Sequence, residues 1–440
     1  MKGNTWLLLF SIACAISAKI YAEFWPGINQ TLVVLGFFRK PEDLVNTAGE
    51  VVAIPDTRHC EDLHYHASSG LLFTACEDKA ETRFGWFPPL ANFDNPELAL
   101  KSRGSIHVIN AVTLESQRLE FENFNGPFLT HGIDVIDDIE RPGGVYIFAV
   151  NHLPNLKSSQ SEGSPKAKSQ IELFYHVIGS PNIRHVRSIL DPLITTPNDI
   201  FASSPTSFYV TNDHLYREHG LKRTIEELYE RARWSTVINV RLGSLEDSVA
   251  DATTGVYATV ALRGLHNNNG LAHGRSPQEI LISSPTSGML HIGEVPLDAA
   301  TSGGNITIIE SMPFDSVVDN PSYFSDPFTQ SSADDHSGFV LAGVTHAKDL
   351  AKNVRDPTAK DPVRVFFVKA APRGADHPWE KHVMFEDDGS RIRSASAAVL
   401  VAIDPEAESK GGVSVKGTRK ATLFVTGFWS SNVIAVKVDL

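Results

Sequence analysis

Cysteine is nearly absent: the 440 residues hold three, at positions 14, 60 and 76. No CxxC pair occurs, which excludes structural zinc of the cysteine type. There is no G-x-S-x-G elbow either, and with it goes the serine-nucleophile chemistry of the α/β-hydrolases. No apolar run reaches the roughly 20 residues that a bilayer span needs. The net charge of −13 removes the basic footprint by which nucleic-acid binders displace counterions, so no nucleic-acid partner is expected. A WD dipeptide or other strong internal repeat is missing as well.

What is present is an ordinary globular composition, 42% hydrophobic and 21% charged, unlike that of a disordered or membrane-embedded chain. The first residues read as a targeting segment: Lys2, an apolar run from Trp6 to Ser17, then the small residues Ser17, Ala18 and Ala22. Residues 1–22 are therefore expected to be a signal peptide or a retained N-terminal anchor. Lys19, Ile20 and Tyr21 make a poor cleavage site, so both fates stay open. Sequons at Asn29 and Asn305 fit a secreted chain. Cys60 and Cys76 flank a predicted hairpin and are either a disulfide or two buried thiols.

Beyond the leader, short β-branched and aromatic runs recur between Gly, Pro, Ser, Asn and Asp, for example Leu71 to Ala75, Val145 to Val150, Val256 to Leu262 and Ala397 to Ile403. Regular short strands with turn signals between them define an all-β class. Residues 23–440 are expected to form one six-bladed β-propeller, since roughly 390 residues divide into blades of about 40 to 70. A sandwich is the fallback, but it has no axis on which distant loops converge. Two segments break the pattern. Lys157 to Gln170 reads as a solvated loop inside a hairpin, without chemistry. Leu221 to Trp234 has apolar residues at helical spacing and is predicted to be a rim helix packing its apolar face inward, with a lid or a lipid contact as other roles.

Five segments carry oxygen donors at intervals of about 50 to 70 residues, the spacing of one ligand per repeat: Glu61-Asp62, His131-Gly132-Ile133, Asn198-Asp199, Asn269-Gly270 and Asp319-Asn320. Hard carboxylate and amide oxygens without thiolate suit Ca²⁺, which accepts six to eight such ligands. Adjacent donors point to opposite sides of an extended backbone, so one dipeptide can serve two ions at different depths. His59, His64 and His66 are expected to form a surface face rather than a transition-metal cluster.

The segment TTPNDIF followed by SFYVTNDH resembles the serum paraoxonase/arylesterase family. So do, in order, CEDL at Cys60 to Leu63, THGIDV at Thr130 to Val135, AVNH at Ala149 to His152, IELF at Ile171 to Phe174, NNNG at Asn267 to Gly270 and VVDN at Val317 to Asn320. The resemblance implies a six-bladed β-propeller with two calcium ions in a central tunnel. It places the catalytic calcium on Glu61, Asn198, Asn269, Asp319 and Asn320, and the structural calcium on Asp62, Asp199 and the carbonyl of Ile133. His131 matches the proposed general base and His152 its partner, while His214 matches the NDH of the family and His346 a pocket histidine. The implied activity is calcium-dependent hydrolysis of lactones and aryl or alkyl esters, with small-molecule substrates and an organophosphate triesterase side activity. Two other readings are a non-catalytic, calcium-stabilised binding propeller and a single-metal, sugar-lactonase-like propeller.

The chain also departs from the family. Mammalian members join their chain ends by a disulfide, whereas no cysteine lies near Val433 to Leu440, so closure is expected from strand pairing. The charge in Leu221 to Trp234 leaves membrane or lipid association open, and nothing in the sequence sets an oligomeric state.

Overall fold

The computed structural model describes residues 2–440 except 41–42, 44, 158–162, 246–250, 298–302, 332–333, 372–374 and 406–418. Six small sheets, each at least four strands wide, follow one another along the chain. Their innermost strands are Cys60–His66, Thr130–Asp137, Pro197–Ser204, Leu271–His273, Pro321–Phe324 and Ala395–Ala402. Each touches the next, and the last returns to the first. This is the six-bladed β-propeller that the strand spacing predicts.

Burial explains the ring. Blade strands such as Gly338–Val344, buried along their length, cannot present one face to water and must pack between neighbouring blades. Apolar clusters fill the wedges: Phe73, Ile106, Ile133 and Phe174 lie between the first and second blades, and Val365, Phe385, Leu400 and Leu423 between the fifth and sixth. The second blade carries an extra edge strand, Glu120–Glu122, parallel to Asn182–Ile189.

The sixth blade draws on both ends of the chain. Val51–Ile54 pairs antiparallel with Val433–Asp439, in the register Val51 to Val436 and Ile54 to Val433. Strand pairing therefore closes the ring, as the lack of a C-terminal cysteine requires. The one disulfide among the described residues joins Cys60 to Cys76 across a single hairpin; Cys14 is free.

Residues Lys2–Val34 form one helix that runs through the candidate cleavage region. Its C-terminal end packs on the ring through Val34 and Leu35 against Val317 and Ala347. No helix among the described residues is long and apolar enough to cross a membrane.

The expectation for Leu221 to Trp234 needs correction. The helix covers only Leu221–Leu228, and it turns two of its charged residues, Arg223 and Glu226, inward. Arg223 and Glu226 are 3% and 1% exposed, whereas Leu221, Ile225 and Leu228 are 77%, 41% and 46% exposed. The polar groups have partners that outweigh apolar packing. Glu226 accepts from the backbone N–H of Leu215 and Tyr216 at 2.7 and 3.0 Å. Arg223 donates to the Tyr216 carbonyl at 3.2 Å and also to the Pro89 carbonyl. Periodicity identifies an amphipathic helix but cannot say which face has been given hydrogen-bond partners.

Ile54 is fully buried in the closing strand. Ile54→Ala should cost about 2–5 kcal/mol of unfolding free energy, read as a lowered midpoint in denaturant; an unchanged midpoint would mean that this strand does not close the ring.

Candidate functional site in the propeller tunnel

The inner strands reach the axis through irregularities placed at the donor residues. In the first blade Cys60 pairs with Cys76 and Asp62 with Ala75, leaving Glu61 in a bulge. The second blade slips register between Thr130 and Ile133, around His131 and Gly132, and the third between Pro197 and Ile200, around Asn198 and Asp199. A bulge re-aims a side chain that strict alternation would turn away. Asn269 and Asp319 sit just ahead of their inner strands, fixed by backbone bonds to the Ser283 and Ala342 carbonyls at 3.0 and 2.8 Å. Gly132 and Gly270 make the crowding possible: a Cβ on Gly132 would collide with the Asn198 carbonyl and the Asp199 carboxylate, and one on Gly270 with Asn320.

Glu61, His131, Asn198, Asn269 and Asp319 line a single cavity of about 300 Å³. Asn320 joins them from the side, its Nδ2 donating to Glu61 Oε1 at 2.9 Å. Asp62 and Ile133 face the other way, into a separate cavity of about 690 Å³ at the opposite mouth of the tunnel. The dipeptide Glu61-Asp62 thus presents donors to two levels, as alternation along a strand predicts. Asp199 is fully buried between them.

Hydrogen bonding sorts these oxygens sharply. Glu61 Oε2 and the Oδ1 atoms of Asn198, Asn269, Asp319 and Asn320 are buried and have no hydrogen-bond partner. Leaving one such atom unpaired costs about 1–3 kcal/mol, so five together mark a place for a ligand that accepts oxygen lone pairs. The deeper carboxylates differ. Asp62 accepts from Leu63 and Ile133 N–H at 2.7 and 3.0 Å, and Asp199 from Ile200 and Leu271 N–H, both at 2.7 Å.

Electrostatics points the same way. Burial, with Asp319 and Asp62 nearby, pushes the Glu61 carboxyl well above its ordinary range. Burial, then Asp62 and Glu61, does the same to Asp199. Burial pushes Asp62 up to about 6, and burial followed by Asp62 and Asp213 pushes Asp319 up to about 8. Four mutually repelling carboxylates favour a divalent cation. The oxygens gathered here are carboxylate and amide, with no thiolate, a donor set that fits Ca²⁺ better than zinc.

Two histidines flank the oxygens. His131 Nε2 accepts from Asn198 Nδ2 at 3.0 Å and lies 3.9 Å from Glu61 Oε1. Its Nδ1 and the Nε2 of His152 have no partner, and the two rings are 5.2 Å apart. His152 Nδ1 meets Ser169 Oγ at 2.8 Å. Burial, then His152 and Arg83, holds the His131 imidazole well below its usual value; burial brings His152 to about 3. Both rings are neutral at neutral pH.

Several expectations change. Ser169 belongs to the strand Ala167–Val177, so the segment read as a loop without chemistry supplies a partner to His152; its residues 158–162 lie outside the described ones. His59 and His66 are buried rather than superficial. They have separate partners: His66 Nε2 meets Asp137 at 3.0 Å, while His59 packs edge-on against Phe84. His64 pairs instead with Asp134 at 3.1 Å. His214 lines the upper cavity, 3.1 Å from Asp213, whereas His346 does not reach it. Arg83 escaped sequence reasoning altogether. It is 2% exposed and donates to the carbonyls of His59 and Thr130 at 3.0 and 3.4 Å, tying the strand of Glu61 to that of His131. A lone arginine among Glu81, Thr82 and Phe84 gives no signal of this.

A family model for arylesterases matches residues 122–403, well over half of the chain. The chain belongs to the arylesterase family. It is similar to serum paraoxonase/arylesterase 2 of Gallus gallus, 27% identical over 195 residues that make up 44% of this chain and 46% of that protein. It is also similar to serum paraoxonase/lactonase 3 of Oryctolagus cuniculus, 23% identical over 310 residues, 69% of this chain and 73% of that one. The chain thus spans about half the length of some of the relatives it matches. Among solved structures, a luciferin-regenerating enzyme aligns at 10% identity and a TM-score of 0.43, over 88% of this chain and 95% of that one.

The raised Asp319 and Asp62 carboxyls set the pH behaviour of the metal-free protein. The folded state retains protons that the unfolded chain releases near the ordinary value of 3.8. Their stabilisation is complete below about pH 4 and is lost as pH rises through about 6 and then about 8. The melting temperature of chelated protein should fall from about pH 5 to about pH 8; a rise over that window would contradict the carboxylate cluster.

Proposed function

We propose that this protein is a calcium-dependent hydrolase of lactones and aryl or alkyl esters, with organophosphate triesters as a side activity. The observation that carries the reading is the set of five unpaired oxygens, from Glu61, Asn198, Asn269, Asp319 and Asn320, converging beside a neutral His131. Those five would hold a catalytic Ca²⁺, and Asp62, Asp199 and the Ile133 carbonyl a structural one. Bound there, Ca²⁺ supplies Lewis acidity toward an ester carbonyl oxygen.

The chain's own groups do the rest. Phe87, Leu90, Leu228, Leu350 and Phe428 line the cavity above the polar floor, where they hold the acyl or aryl part and exclude bulk water. His131 takes a proton from the attacking water. Its ring lies 5.2 Å from that of His152, whose Nδ1 meets Ser169 Oγ at 2.8 Å. The pair would pass the proton away from the acidic floor.

The disulfide Cys60–Cys76 and the leader 1–22 support entry into the secretory pathway, since disulfides persist in oxidising compartments. The outward apolar face of Leu221 and Ile225 supports a lipid contact near the cavity mouth.

One observation favours a second reading. Because Asp62 and Asp199 already accept backbone N–H groups, a single ion in the upper site is the alternative, as in a sugar-lactonase-like propeller. Elemental analysis of purified protein decides it: two calcium ions per chain support the first reading and one the second. Bound calcium without turnover on a broad lactone and aryl-ester panel would leave a binding propeller.

Chelation should abolish ester hydrolysis, and calcium should restore it. Asn269→Ala and Asp319→Ala should do the same without unfolding the chain, and His131→Gln should lower kcat by about 10²–10⁴-fold. Full turnover in excess chelator would remove the mechanism.

A further inference from the structure

Glu61 brings a carboxylate to the upper cavity from a bulged backbone. It occupies a bulge between the pairs Cys60–Cys76 and Asp62–Ala75, and an extra residue on one strand is left out of the ladder. Its carbonyl is held by the hydroxyls of Ser396 and Thr426. Its side chain has one fixed contact, to Asn320. The Oε2 atom aimed at the cavity has none.

The disulfide lies on the rung immediately before this bulge. Cys60 and Cys76 are directly opposed, 2% and 0% exposed, and joined. One residue further back, the His59 carbonyl accepts from Arg83 at 3.0 Å and from the Glu77 N–H at 3.3 Å. The rung therefore cannot open or slip, and the backbone leading into Glu61 starts from a fixed point. The bulges carrying His131 and Asn198-Asp199 have no such bond. A staple serving stability alone could sit anywhere along the hairpin. Placed here it acts on the position of a carboxylate whose useful tolerance is about 0.5 Å.

We propose that the Cys60–Cys76 disulfide is a positioning element of the cation site: by fixing the register at the bulge it aims Glu61, so calcium affinity depends on the intact bond. This rests on the calcium reading above. Supporting groups around metal ligands commonly change affinity by about 10–100-fold. It follows that a chain made under reducing conditions would fold with a weak site even where the propeller itself forms.

The test is calorimetric titration of chelated full-length protein with CaCl₂. The variants are Cys60→Ala/Cys76→Ala and Cys60→Ala/Cys76→Val, the second refilling the volume of the sulfurs. Val365→Ala, a buried change in the fifth blade, controls for loss of stability alone. The expected result is a calcium dissociation constant raised about tenfold or more in the cysteine variants and unchanged in Val365→Ala despite its lower melting temperature. Affinity within about twofold of wild type in a folded cysteine variant overturns the inference, as does an equal loss in Val365→Ala. Failure of both cysteine variants to fold would also overturn it, by making the bond a requirement of the fold. If the wild-type protein takes up no calcium, the functional reading falls and this inference with it; if the wild type binds and the variants bind equally, only this inference falls.

Discussion

Like charges gathered on one dry axis are the constraint on which the rest of this molecule depends. Glu61, Asp62 and Asp199 are nearly or fully inaccessible and Asp319 is half-buried, and burial first, then repulsion from neighbouring carboxylates, raises the carboxyls of all four. Such a column is unfavourable unless something positive joins it. Arg83 approaches from the side but spends its guanidinium on two backbone carbonyls. Four carboxylates and two divalent ions balance in charge, the stoichiometry of the two-ion reading. The bulges and the two crowded glycines are the backbone adjustments that let five of the six blades deliver their donors to so narrow a space.

The cavity combines a floor of unpaired oxygens with apolar walls, and the two come from different parts of the architecture. The floor belongs to the inner strands, whose geometry the ring dictates. The walls come from loops and short helices on one rim, including Leu35 after the N-terminal helix and Leu228 at the end of the inverted helix. Floor and wall are therefore separable, as is usual where function sits on loops over a scaffold. The inverted helix is attached by Arg223 and Glu226, so its outer surface is free to be apolar without loosening that attachment.

The ring of blades was legible in the sequence because short buried strands leave strong marks: β-branched runs cut by Gly, Pro and Asn. The axial donors were legible because their spacing matches one segment per blade, and the glycines beside them explain why THGID and NNNG look as they do. What stayed hidden depended on the third dimension. Arg83 acts through backbone carbonyls, which have no sequence signature. Ser169 was taken for loop because Lys157 to Gln170 is polar throughout, yet the strand begins at Ala167 and its hydroxyl meets a buried imidazole. For Leu221–Leu228 the period was right and the facing wrong, since partners rather than hydropathy chose the buried side. His59 and His66 were misplaced for the same reason, each buried with a partner of its own. Whether Cys60 and Cys76 were bonded could not be decided from two positions sixteen residues apart; their direct opposition on adjacent strands decides it.

The way the circle is fastened has a bearing on biosynthesis. Val51–Ile54 leaves the ribosome long before its partner, Val433–Asp439. Five blades must therefore wait, assembled or half assembled, as an open crescent whose acidic inner edge faces solvent. The final rung is a contact between distant parts of the chain, the kind that makes folding slow. During that interval the nascent chain needs protection from sticking to its neighbours, and chaperone supply would then limit the yield of active material as much as the strength of the finished ring.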